Sequence, residues 1–196
     1  MSGRSGDGAR YTAVAMLLHW LIAAAIFGQI ALGLAMTRQG LPLMRQFQLY
    51  QLHKSVGITI LLLVVLRVLW RLGHRPPPLP PAMPALERRA AGGAHLLLYA
   101  LILGLPLTGW AVVSASPFNI PTVLYGVVPW PHLPVLPELH DKAPAEAALK
   151  AVHAYGAWVL IVLVAVHIAA AFRHAIVLRD GVLRRMVPQL RARKLS

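Results

Sequence analysis

The chain has 196 residues, of which 58% are hydrophobic and only 13% charged, with a mean hydropathy of +0.63 and a formal net charge of +13. Ordinary soluble domains carry about 25% charged residues, so a single-domain polytopic membrane protein is the expectation. Cysteine is absent, which excludes disulfides and every metal site built on thiolates.

The basic residues flank apolar runs and do not line a soluble face, which argues against nucleic acid and for contact with anionic lipid. The first run, about 12–36, follows Arg4 and Arg10. At about 25 residues it is longer than the apolar part of a signal peptide, so it is expected to stay as helix 1. Helix 2 is expected at about 49–72, with Lys54 near one end and Arg67 and Arg71 near the other. Those two arginines suit positive anchoring at the membrane surface, and pairing with a carboxylate ligand is the functional alternative. Six prolines between Arg75 and Pro84 predict a stiff, extended connector. Helix 3 is expected at about 92–114, kinked at Pro106. A loop rich in proline and aromatics follows over about 116–150. Its end, 143–151, reads as a short amphipathic lead-in to helix 4 at about 152–172. The fold class is therefore all-α, a four-helix transmembrane bundle forming one domain over 1–188, with a basic tail at 189–196.

Fourteen of the nineteen Lys and Arg residues fall in the N-terminal segment, the helix 2–3 connection and the C-terminal region. The other five are Arg38, Arg45, Lys54, Lys142 and Lys150. The positive-inside rule then puts both termini in the cytoplasm and the 116–150 loop outside.

Five histidines lie within the runs: His19, His53, His95, His153 and His167. A polar ring in hydrocarbon is costly without a partner. His153 and His167 are fourteen positions apart. Steps of ~100° put both on one face of helix 4, ~21 Å apart along its axis. The topology assigns His53 and His153 to the outer half of the bilayer. His19, His95 and His167 share the inner half, and sequence geometry does not choose a pair among them. Four imidazoles on one zinc or copper ion would need a common depth. Two separate bis-imidazole sites suit six-coordinate haem, here non-covalent and b-type. Gly57 and Gly156, close to His53 and His153, offer gaps suited either to a planar macrocycle or to close helix packing.

The segments Leu18–His19–Trp20 and His53–Lys54–Ser55–Val56–Gly57, with the run from His153 to His167, resemble the bacterial cytochrome b561 family. The resemblance extends from about Tyr11 to Pro188. It implies a small di-haem cytochrome of the bacterial inner membrane, with four axial ligands. His19 pairs with His167 on the cytoplasmic haem, and His53 with His153 on the periplasmic haem. It also implies that His95 is no axial ligand and bonds a propionate or another polar group. The implied activity is electron transfer between a periplasmic or membrane-surface donor and the quinone pool, ubiquinone being the expected acceptor. Some family members are similar to superoxide oxidases, and Arg45, Lys54, Lys142 and Lys150 are the cations available on the outer side to attract that anion. Trp110, Phe118 and Trp130 either wall a quinone site or form an interfacial belt. Two other classes stay open: a haem-bearing anchor subunit with a protein redox partner, and a haem-free membrane scaffold or transporter.

Overall fold

The structure is a computed structural model and describes residues 10–187. The basic tail expected at 189–196 lies outside them. Four long helices dominate: α1 (Ala13–Met36), α2 (Leu43–Gly73), α3 (Ala85–Ser114) and α4 (Ala143–Phe172). All four are long and apolar enough to cross a bilayer. Leu62, Leu66, Leu69, Val162 and Val166 stand exposed on the outer faces. Large apolar residues turned outward over full helix lengths need lipid as their solvent. The chain is a polytopic membrane four-helix bundle.

Three helices start earlier than hydropathy alone predicts. α2 begins at Leu43 and α3 at Ala85, each directly after a proline, Pro42 and Pro84. Proline cannot continue a helix from its N-terminal side, but its fixed φ prepares the first turn. The early turns hold good helix formers that are too polar to register as membrane span. Gln46 donates to the Met36 carbonyl at 3.2 Å, and Arg88 donates to the Pro81 and Met83 carbonyls. The lead-in at 143–151 is continuous with α4, supported by Pro144 in the first turn and a Glu146–Lys150 ion pair at 3.0 Å. Pro106 lies inside an unbroken α3.

The core joins α1, α2 and α3. Ile22, Ile60 and Val64 are buried together, with Ile26, Val56 and Ile102 packed against them. Close packing runs α1–α2, α2–α3 and α3–α4 in sequence. Among the described residues α4 makes no comparable approach to α1 or to α2, so it is held mainly by α3 and leaves a gap on its inner side.

The two ends of the bundle differ. At the end carrying the termini, a π-helical turn (Arg173–Leu178) extends α4 and a 3-10 turn (Leu183–Arg185) follows. His174 and Asp180 pair there at 2.5 Å. Burial pushes the Asp180 carboxyl up, but the Val182 N–H and the His174 ring outweigh it and hold it below the ordinary carboxylate value. The following residues reach α1: Trp20 Nε1 donates to the Met186 carbonyl at 2.8 Å, and the Arg10 side chain donates to Val187. This strap ties α4 to α1 where the helices themselves stand apart. At the other end, the loop between α3 and α4 contains two short antiparallel strands, β1 (Thr122–Leu124) and β2 (Val128–Trp130), in register Thr122–Trp130 and Leu124–Val128. This hairpin is an addition to the all-helical expectation.

Arg67 links three helices at the terminal end. It donates to the Ala15 carbonyl at 2.7 Å and to the Tyr99 hydroxyl at 3.0 Å. Tyr99→Phe removes one of these bonds and is expected to cost about 1–2 kcal/mol. Thermal unfolding in detergent should show a midpoint lower by several degrees, and an unchanged midpoint would deny the tie its role.

Candidate functional site

Each helix contributes histidine to the bundle interior, and the rings gather at two levels. Towards the hairpin end, the rings of His53 on α2 and His153 on α4 have centroids 6.3 Å apart, with planes at 77°. Towards the terminal end, His19 on α1 and His167 on α4 are 6.5 Å apart, with planes at 38°. His95 on α3 lies 5.6 Å from His167. All three inner-half candidates therefore meet at one level, with His167 between the other two.

Both cross-bundle pairs span helices that do not pack closely on each other among the described residues, α2 with α4 and α1 with α4. The separations suit a metal between the rings. Imidazole–metal bonds of ~2 Å on opposite sides of one ion put the ring centres ~6–6.5 Å apart. Each pair supplies two nitrogen donors, and among the described residues no group of three or more His, Asp or Glu side chains forms a metal cage. A tetrapyrrole, which brings its own four equatorial donors, fits this donor set, whereas a bare zinc ion would lack ligands.

The surroundings of the rings agree. The Thr108 hydroxyl donates to the Leu105 carbonyl at 2.9 Å and lies 3.1 Å from Nδ1 of His153. With its one proton committed to the carbonyl, the hydroxyl oxygen accepts from an Nδ1–H. That tautomer leaves Nε2 of His153 with a free lone pair, the arrangement of metal-bound histidine. Nδ1 of His19 and Nδ1 of His53 are buried with no hydrogen-bond partner among the described residues. Buried imidazole nitrogens without a protein partner mark a place for an added group.

The glycines beside these rings are not the two singled out from sequence. A Cβ at Gly33 would meet His53 Cε1 at 3.5 Å, and one at Gly109 would meet His153 Cε1 at 3.1 Å. Gly57 instead faces the Gln29 amide, and Gly156 faces Leu105, so both serve helix packing. Gln29 also donates to the His53 carbonyl at 2.9 Å, which holds α1 beside that ring's backbone. Sequence reasoning missed Gly33, Gly109 and Thr108. Sequence gives them no direct signal, because each sits on a different helix from the histidine it faces.

Arg67 is engaged as described. The Arg71 guanidinium lies 5.4 Å from the centre of the Tyr99 ring and makes no hydrogen bond among the described residues. At the hairpin end, Trp110 and Trp130 have ring centres 5.5 Å apart, and Trp110 donates to the Pro131 carbonyl at 2.8 Å. Trp130 Nε1 is buried and unpartnered among the described residues. Phe118 stands exposed on the loop. Three of the four expected outer cations have local partners: Lys54 with the Pro121 carbonyl at 3.2 Å, Lys142 with Asn119 at 2.8 Å, and Lys150 with Glu146.

Comparison with known proteins gives a consistent result. Residues 10–189 match the family model described as prokaryotic cytochrome b561. Among curated proteins, cytochrome b561 homolog 2 of Escherichia coli (strain K12) is 33% identical over 179 residues, covering 91% of each chain. The probable superoxide oxidase CybB of Yersinia pestis is 28% identical, covering 93% of this chain and 98% of that protein. Cytochrome b561 homolog 1 of E. coli (strain K12) is 28% identical, covering 92% and 98%.

Thr108→Val removes the hydroxyl partner of the His153 Nδ1–H, at a cost of about 1–2 kcal/mol. The expected outcome is a lower unfolding midpoint for Thr108→Val and recovery in Thr108→Ser, which keeps the hydroxyl. Equal midpoints for the two variants would count against this bond.

Proposed function

The chain belongs to the prokaryotic cytochrome b561 family, membrane cytochromes b of electron transport, and on that footing we propose that it holds two haem b groups and moves electrons from an outer-surface donor to the quinone pool. His19 and His167 hold one haem, and His53 and His153 hold the other. The carrying observation is the pair of ring separations, 6.5 and 6.3 Å, at two levels joined by one helix. Along α4 the two levels are ~21 Å apart. When bound, haem b supplies a one-electron couple whose potential follows its ligands, hydrogen bonds and burial.

The remaining roles belong to the chain's own groups. With two imidazoles at each level, each site would favour electron transfer over oxygen binding. Thr108 orients His153 through its Nδ1–H. Gly109 and Gly33 keep the flanks of two rings free of a methyl group. His95, beside His167, and Arg71, beside Tyr99, offer polar and positive partners for propionate carboxylates. The chain is a multi-pass protein of the bacterial inner membrane. Its basic asymmetry sets both termini in the cytoplasm and the hairpin end in the periplasm.

Superoxide is the favoured donor, because a relative matched over nearly its full length is a probable superoxide oxidase. Each superoxide gives up one electron and leaves as dioxygen. Two such electrons and two protons convert one ubiquinone to the quinol. Arg45, Lys54 and Lys142 supply the attracting field, while Glu146 offsets Lys150. Beside the Trp110–Trp130 pair, the unpartnered Trp130 N–H suits a quinone carbonyl.

His153→Ala is expected to lower haem from two per chain to one, measured as pyridine haemochrome. Two haems retained would remove this histidine from the ligand set. In stopped flow, ubiquinone-loaded protein mixed with superoxide should show rapid growth of the reduced b-type absorbance band. A silent trace would move the assignment to an anchor subunit fed by a docked oxidoreductase.

A further inference from the structure

The hairpin of β1 and β2 stands on α2 on the side turned away from the histidines. Gln51, Ser55 and Thr59 follow at four-residue steps and share one face of α2. The same face continues as Leu62, Leu66 and Leu69, all exposed. His53 lies ~200° round the helix from Gln51 and Ser55. The stripe that turns lipid-facing deeper in the membrane is therefore polar in its outer third, and the hairpin covers that polar part.

All three side chains of the stripe bond to the hairpin or to α2 itself, and only Gln51 Oε1 is left without a partner among the described residues. Gln51 Nε2 donates to the Pro121 carbonyl at 3.1 Å. The Ser55 hydroxyl donates to the Gln51 carbonyl at 2.8 Å and accepts from the Tyr125 N–H at 3.0 Å. The Thr59 hydroxyl meets the Tyr125 hydroxyl at 2.7 Å. Ser55 is 1% exposed as a result.

The turn of the hairpin closes backbone bonds of its own. Tyr125 (φ 52°) and Gly126 (φ 74°) make the two left-handed positions of a tight turn. The N–H groups of Gly126 and Val127 bond to the carbonyls of Val123 and Leu124. Backbone in hydrocarbon survives only when satisfied in this way. Along α2, Ser55 lies ~9 Å and Thr59 ~15 Å inward of Leu49, where the apolar run begins.

The outer face of the hairpin is apolar. Val127 is 77% exposed, and Tyr125, Val128 and Ile120 are exposed around it. Between the end of α3 and Glu138 the loop sequence holds no Asp, Glu, Lys or Arg. A loop in water would carry about one charge in four residues. The geometry points to a membrane-dipping hairpin: the 120–130 segment inserts its apolar tip into the acyl region of the outer leaflet, continuous with the lipid-facing side of α2. Lipid acyl chains are the occupant of this face.

The chain has no cysteine, so single-cysteine spin labels test the insertion without altering the protein further. Val127→Cys and Val128→Cys sample the tip, and His140→Cys samples an exposed position beyond the hairpin. Labelled full-length protein is placed in phosphatidylcholine–phosphatidylglycerol vesicles. Collision with dissolved oxygen is compared with collision with a water-soluble nickel chelate. The expected result is a reversal: oxygen dominates at 127 and 128, the chelate at 140. Chelate access at 127 and 128 equal to that at 140 would place the tip in water and overturn the proposal. Exclusion of both reagents from 127 and 128 would mean a protein partner or second copy covers the face, and would overturn it equally. The labels report depth whether or not electrons flow, so this outcome is separate from that of the functional reading.

Discussion

A polar ring inside a hydrocarbon layer must be matched, and this requirement organises the bundle interior. α4 carries His153 and His167 on one face, yet it leans on α3 and keeps away from α1 and α2. A helix bearing two imidazoles has little to gain from close packing against helices that present imidazoles in return. The rings face one another across 6.3 and 6.5 Å, too far for a direct hydrogen bond and suited to a metal between them. The apolar core accordingly sits elsewhere, among Ile22, Ile60 and Val64 of the first three helices.

The same rule governs the surface of α2. Gln51, Ser55 and Thr59 would be expensive on a lipid-facing side, and the hairpin supplies their partners. Arg67 meets the rule at the terminal end by bonding both a carbonyl of α1 and a hydroxyl of α3. Polar groups in this protein thus serve as inter-element ties, because between apolar helices in lipid no hydrophobic force supplies that specificity. Five buried side-chain atoms are left without partners among the described residues; those on His19, His53 and Trp130 fall at the levels where cofactor and quinone are proposed, and the other two are the amide oxygens of Gln29 and Gln51.

Much of this arrangement was legible in the chain itself. Long apolar runs announce four membrane helices, because no other element buries so many such residues in a row. The fourteen-residue spacing of His153 and His167 announces a shared face, because helical periodicity is rigid. Helix starts were less legible. At Leu43 and Ala85 hydropathy falls while helix-forming tendency persists, and the two signals part at the membrane surface. The hairpin was hidden because Tyr125 takes a left-handed conformation normally left to Gly, Asn or Asp. The sequence left Gly57 and Gly156 open between a macrocycle gap and helix packing, and the structure favours packing. Gly33 and Gly109 look like any packing glycine until the histidine ring from another helix is seen beside them, whereas Gly57 and Gly156, nearer to histidines in sequence, face other helices.

The place of α4 in the chain bears on biogenesis. It follows the other three described long helices in the chain, and one ring of each cross-bundle pair rides on it. The first three helices share a core and can assemble ahead of it. Neither ring pair exists until the fourth arrives, and the strap from Val182 to Val187, made later still, then fastens it to α1. Both facing ring pairs are therefore completed only when α4 joins the other three described helices.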